Sequence, residues 1–165
     1  MAVGGANGTT MVVGQFGLIG QLVGTTVVPV TSPTKMNLND IHTADGTTFY
    51  AVGNLGTVLK GGPDGFSMLA PPTAKNLYGV WVHDDGGVYI VGDSGTLLHY
   101  DGTTWTTLDS KTLLNLRAIW VSKSGEVTAS GKEGVLIQGN IVGGFTDVGT
   151  LFDGGELNAA FGFED

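Results

Sequence analysis

The chain contains no cysteine, which excludes disulfides and thiolate zinc sites and leaves the redox compartment open. Its single arginine is Arg117, and 7 Lys+Arg stand against 15 Asp+Glu, a formal net charge of −8. So few cations cannot form a basic patch. Nucleic acid is therefore excluded as a partner, because phosphate binding depends on clustered Lys and Arg that release counterions. An anionic membrane surface is disfavoured on the same ground. Charged residues make up only 13% of the chain, well under the ~25% of an average globular protein. The first lysine is Lys35, so no basic n-region of a secretory signal is legible, and composition leaves the localisation unknown. The most apolar run, Met11–Gly24 (MVVGQFGLIGQLVG), is too short for a membrane helix and is interrupted by Gln15, Gln21 and glycine.

Glycine, by contrast, is abundant, at 29 of 165 residues. A hydrophobic content of 41% and a mean hydropathy of +0.20 oppose disorder. A turn-rich, all-β single domain fits both facts and the chain length.

The stretch Tyr89–Trp105, YIVGDSGTLLHYDGTTW, shows how the glycines are used. Its first turn glycine recurs at a spacing of 39 residues as Gly14, Gly53, Gly92 and Gly131, and its second as Gly17, Gly56, Gly95 and Gly134. Leu38, Leu77 and Leu116 keep the same spacing, and Leu157 follows after 41 residues. Val27, Phe66 and Trp105 form a third series, with Phe145 displaced by one. Within the third unit, Leu77–His83, Val88–Val91, Thr96–Tyr100 and Thr104–Leu108 read as four short strands. The intervals between them carry the Gly, Asp and Asn of tight turns. Four strands per unit of about 40 residues is the size of a β-propeller blade. The expected fold is thus all-β, one propeller domain over residues 1–165 with about four four-stranded blades. The units are about 8–37, 38–76, 77–115 and 116–156, with 157–165 as a closing strand.

These units resemble a bacterial β-propeller repeat of the form L-x-x-V-W…V-G-x-x-G-T-[IL]-x-H-Y-D-G-x-x-W, loosely related to BNR or Asp-box propellers. The third unit, LYGVWVHDDGGVYIVGDSGTLLHYDGTTW, carries nearly the whole pattern. The second and fourth keep the Leu and Gly anchors but lose the D-G-x-x-W end, and the first keeps Gly17, Gly24 and a Thr pair. The resemblance implies that Asp101-Gly102 braces a turn away from any catalytic centre. It also implies an extracellular, cell-surface or virion-associated setting.

The N-terminal unit is recognisable from Gly8, and MAVGGAN before it lacks the anchoring leucine and holds Gly4 and Gly5. The C-terminal LNAAFGFED has the pattern of a first strand, with Leu157, Ala160 and Phe161 at apolar positions. Leu157–Phe163 is therefore expected to supply the innermost strand of the blade formed by residues 8–34. Closure within one chain, closure between two chains, and a piece of a longer propeller are all compatible with the pattern.

Four positions after each first-strand leucine stand His42, Trp81, Trp120 and Phe161, the candidate ligand-binding residues. Two positions earlier stand Asp40, Gly79, Ala118 and Ala159. Small residues admit the crowded inner backbone, and large rings either fill the wedge between blades or form a stacking surface near the channel mouth. His42, His83 and His99 do not share metal-ligand spacing, and Asp84-Asp85-Gly86 has too few ligands for a dedicated calcium loop. No metal or cofactor is expected. One arginine cannot grip an acidic sugar as sialidases do, and no nucleophile elbow, phosphate loop or dinucleotide fingerprint appears. The chain reads as a non-enzyme: a structural or protein-interaction module in an assembly, with itself as a homo-oligomer or other proteins as partners. A lectin-like, glycan-binding propeller is the second reading.

Overall fold

The computed structural model describes residues 1–150 and 155–159. Its strands fall into four antiparallel sheets of four, each in chain order. Blade one comprises β1 (Ala2–Ala6), β2 (Thr9–Val13), β3 (Ile19–Val23) and β4 (Thr26–Pro29). Blade two comprises β5 (Leu38–His42), β6 (Phe49–Gly53), β7 (Val58–Gly62) and β8 (Gly65–Leu69). Blade three comprises β9 (Leu77–Val82), β10 (Val88–Gly92), β11 (Leu97–Tyr100) and β12 (Trp105–Thr107). Blade four comprises β13 (Leu116–Val121), β14 (Val127–Gly131), β15 (Val135–Asn140) and β16 (Gly144–Thr150). Helix is confined, among the described residues, to three short 3-10 turns. The apolar run Met11–Gly24 is divided among β2, one of these turns and β3. This is the expected all-β propeller architecture of four-stranded blades.

The third blade follows the strand pattern read from sequence to within one or two residues. The first does not. Blade one begins at Ala2 and owns its innermost strand: β1 pairs with β2 from Ala2↔Val13 to Ala6↔Thr9. Gly4 and Gly5 weaken an isolated strand but are required here. A Cβ on Gly4 would fall on the Ile41 carbonyl oxygen of the neighbouring blade, and one on Gly5 would lie 2.7 Å from the Thr9 oxygen. The place assigned to Leu157–Phe163 is thus taken. Leu157 lies instead in front of blade four, its N–H donating to the Gly131 oxygen at 2.9 Å, as Leu38 donates to Gly14. Ala160 and Phe161 lie outside the described residues.

Three hydrophobic clusters fill three blade–blade interfaces. Met11, Val13 and Ile19 of blade one meet Leu38, Ile41 and Phe49 of blade two. Tyr50 and Val52 of blade two meet Val80, Val88 and Ile90 of blade three. Tyr89, Val91 and Leu97 of blade three meet Ile119, Val127 and Ile137 of blade four. Among the described residues no cluster joins blade four to blade one; the described blades are joined in series, each to the next, as an arc.

The glycine pairs hold this arc in register. In each turn the first glycine, Gly53, Gly92 or Gly131, has extended backbone against the carbonyl oxygen of Asn37, Asn76 or Asn115, where a Cβ would fall. The next residue donates to that same oxygen: Asn54 at 3.0 Å, Asp93 at 2.9 Å and Lys132 at 2.9 Å. The following residue takes a left-handed conformation, as at Leu55 (φ 55) and Ser94 (φ 52). Its N–H reaches the asparagine side chain that opens the next blade: Phe16 to Asn37 at 3.0 Å, Leu55 to Asn76 at 3.0 Å, Ser94 to Asn115 at 2.8 Å. The second glycine then donates across the interface, Gly56 to Lys75 and Gly95 to Leu114, both at 2.8 Å. Each asparagine therefore binds its own blade through the main chain and the preceding blade through the side chain.

Two glycines separate this close approach from simple left-handed geometry. Gly95 has φ +66 and its Cβ would fall on the Thr112 carbonyl oxygen, whereas Gly102 has φ +98 with open space around it. In urea denaturation, Gly95→Ala should cost about 3 kcal/mol or more, from backbone clash and strain together. Gly102→Ala should cost only about 1–2 kcal/mol.

Candidate functional site

The inner strands β5, β9 and β13 each contain a β-bulge, at Asn39, Tyr78 and Arg117, where the pairing register shifts. Beyond the bulge, alternation sends Ile41, Val80 and Ile119 into the interfaces and leaves His42, Trp81 and Trp120 half-buried at one mouth of the arc. These three candidate residues come together. The His42 and Trp81 rings stack with centroids 4.3 Å apart and planes at 24°. Trp120 meets Trp81 edge-on at 6.4 Å and 67°. They line a cavity of 410 Å³ whose rim includes His83, Asp84 and Lys123. Phe161, the fourth candidate, lies outside the described residues.

The three rings do different work. Trp81 also packs on the cluster between blades three and four. The Nδ1 of His42 accepts the Val82 N–H at 3.0 Å, which places the ring proton of the neutral imidazole on Nε2. Burial pushes the His42 pKa down to about 4. Two residues earlier, Asp40 accepts the Val80 N–H at 2.9 Å and its neighbour's, Ile41, at 2.9 Å. Burial pushes its carboxyl up to about 6, against those two hydrogen bonds. Asp40 and His42 thus stitch β5 to alternate amides of β9, two inner strands that no backbone ladder joins. Gly79 and Ala118 occupy the equivalent small positions, and a Cβ on Gly79 would lie 3.1 Å from the Arg117 oxygen.

The other polar residues singled out in the sequence are braces. His83 bonds Asp85 at 2.9 Å and the Ser122 oxygen at 3.0 Å. Burial lowers its pKa, but the hydrogen bond and charge of Asp85, with the backbone acceptors, raise it on balance. Asp85 also accepts the Gly87 N–H at 2.8 Å, closing the Asp84–Gly87 turn. Asp101 accepts the N–H groups of Thr103 and Thr104 at 2.8 and 2.7 Å, the turn brace expected of it. Asp45 does the same for Thr47 and Thr48 in a second Asp-Gly-Thr-Thr turn that the sequence reading missed. His99 tilts on Tyr89 at 4.7 Å, away from the mouth. Among the described residues no group of three or more His, Asp and Glu is placed to hold a metal ion.

Arg117 was also missed as a site residue. Its bulge aims the guanidinium over the Tyr78 ring, 3.9 Å from the centroid, and the Tyr78 hydroxyl donates to Asp93 at 2.8 Å. Both line a second cavity of 290 Å³ along the axis, together with Asp40 and Asn158. The signal lay in the repeat itself: Asn39, Tyr78, Arg117 and Asn158 each follow a first-strand leucine.

No family model matches the sequence, and no curated protein is significantly similar to it. Solved structures are similar in fold. The WD40 repeats of RRP9 superpose with a TM-score of 0.74 at 7% identity, covering 88% of this chain and 48% of that one. YCF48 bound to a D1 peptide gives 0.64 at 12% identity, covering 88% and 50%. YCF48 from Cyanidioschyzon merolae gives 0.65 at 14% identity, covering 93% and 57%. At these identities the likeness shows the β-propeller fold alone, and the chain spans about half the length of these structures.

The stitch predicts a specific pH response. Asp40 binds its proton more tightly folded than unfolded, so it adds stability as pH falls from about 6 towards 3.8. His42 binds its proton less tightly folded, so it removes stability as pH falls from 6.5 towards about 4. The two oppose each other. Relative to the parent, Asp40→Asn should lose melting temperature on acidification from pH 6.5 to 4, and His42→Asn should gain it. About 1–2 kcal/mol, or a few degrees, is expected after allowing for partial exposure.

Proposed function

We propose that the chain is a non-enzymatic, protein-binding β-propeller that works in an assembly and takes a segment of its partner at the His42–Trp81–Trp120 mouth. The observation that carries this reading is the convergence of three rings, from three successive blades, on one half-open cavity. Large planar side chains offer contact area at low entropic cost and dominate binding hot spots. The rim adds both signs of charge, with Lys123 beside Asp84 and His83. A similar fold has been solved with a bound peptide, which supports a peptide as the first ligand to try. The non-enzymatic part rests on the use of the polar groups: Asp45, Asp85 and Asp101 brace turns, and Asp40 and His42 stitch strands.

A lectin-like role is the second reading, favoured by the Trp81–Trp120 edge, because tryptophan also stacks on the apolar face of a sugar. One pair of screens separates the two. The parent chain and Trp120→Ala are passed over a displayed random-peptide library and a glycan array. Trp120 is half-buried and absent from the three clusters, so its removal should leave the melting temperature within a few degrees. The expected result is peptide capture by the parent that falls at least about tenfold in the variant. Capture of glycans alone, lost in the variant, would establish the lectin-like reading. Peptide binding unaffected by Trp120→Ala would remove the mouth as the site.

A further inference from the structure

Blade one is chemically unlike the others, because residues 1–34 contain no Asp, Glu, Lys or Arg in a chain of net charge −8. Its unpartnered sheet face is also apolar. In blades two to four, one face of the sheet packs on the preceding blade through Ile41, Val80 and Ile119, which are 2%, 2% and 5% exposed. Strand pairing gives Val3 the same place in blade one: Val3 opposes Val12 as Ile41 opposes Ala51 and Val80 opposes Ile90. Val3 is 66% exposed. At the outer edge Val27 opposes Leu22 as Phe66 opposes Gly61 and Phe145 opposes Gly139. Val27 and Leu22 are exposed, as is Leu18, whereas Phe145 is buried. A blade's interface face is therefore present, in register, and among the described residues no blade packs on it.

The opposite end of the arc is prepared for a successor. Blade four donates Gly134 N–H to Gly155 at 2.8 Å and receives the Leu157 N–H on Gly131 at 2.9 Å. These are the bonds by which earlier blades hold the next one. Its forward face presents Thr128 and Leu136, both half-buried, at the places of Tyr89 and Leu97 in blade three. The smaller forward face suits the smaller rear face of blade one, where Thr10 and Gly20 stand at the places of Phe49 and Leu59.

We infer that the uncharged rear face of blade one is an interface with a second copy of this chain, which seats its fourth blade there. A two-fold pair of such contacts closes two arcs into one ring of eight blades. The absence of charge favours the contact: this face offers Val3, Leu22 and Val27 as exposed apolar surface without the repulsion that the net −8 of each copy imposes between charged surfaces.

The test uses the full chain, whose lack of cysteine allows single thiols to be placed at will. Light scattering at micromolar concentration should give twice the 17.0 kDa chain mass. Leu22→Asp with Val27→Asp should return it to a single chain with unchanged circular dichroism, since both residues are solvent-exposed within one arc. Mixing Val27→Cys with Leu136→Cys and adding a short bismaleimide should produce a cross-linked pair. A parent that stays at 17.0 kDa overturns the proposal, as does cross-linking by Val27→Cys alone, which would mean rear-to-rear contact.

Discussion

The structure depends on one bridging residue repeated at each blade junction. Asn37, Asn76 and Asn115 give their main-chain oxygens to the turn of their own blade and their side-chain oxygens to the turn of the blade before. Both glycines of the G-x-x-G turn exist to let those contacts form. Because each asparagine reaches only one neighbour, the arc is held as a chain of nearest-neighbour contacts, as expected of repeat architectures. The hydrophobic clusters obey the same logic, one per junction.

The mouth is a by-product of this frame as well as a site. Bulges at the start of the inner strands set the phase of the side chains that follow, so three successive blades deliver rings to one end. Where the second blade places Asp40 and His42 in that phase, they do backbone work on β9, and the price is a carboxyl and an imidazole held away from their ordinary pKa values. The rings differ accordingly. His42 is tied down and Trp81 is shared with a core cluster, which leaves Trp120 as the ring with least structural duty.

Much of this is legible in the sequence. The Gly and Leu anchors at 39-residue spacing gave the blade number and the strands of the third blade, because turn glycines are dictated by local backbone geometry. The His42, Trp81 and Trp120 series was legible for the same reason. The first blade departs from expectation because Gly4 and Gly5 weaken an isolated strand, whereas contact with the Ile41 carbonyl requires the absence of a Cβ at Gly4. That contact is between blades and leaves no local trace. The bridging asparagines lay in the same register but look like ordinary turn residues, and only their two-sided hydrogen bonding distinguishes them. The roles of Asp40 and Arg117 were hidden because bulges, which have no reliable sequence signature, decide where their side chains go.

The central claim is that these exposed-looking turns are structural joints, and amide hydrogen exchange tests it most directly. Leu55 is 65% exposed and Ser94 is exposed, yet both donate N–H groups to asparagine side chains, and Gly56 and Gly95 donate across the junctions. The account predicts that these four amides exchange as slowly as core amides such as Ile90, opening only with the fold as a whole. Exchange at the rate of the free turn amides around Gly102 would contradict it.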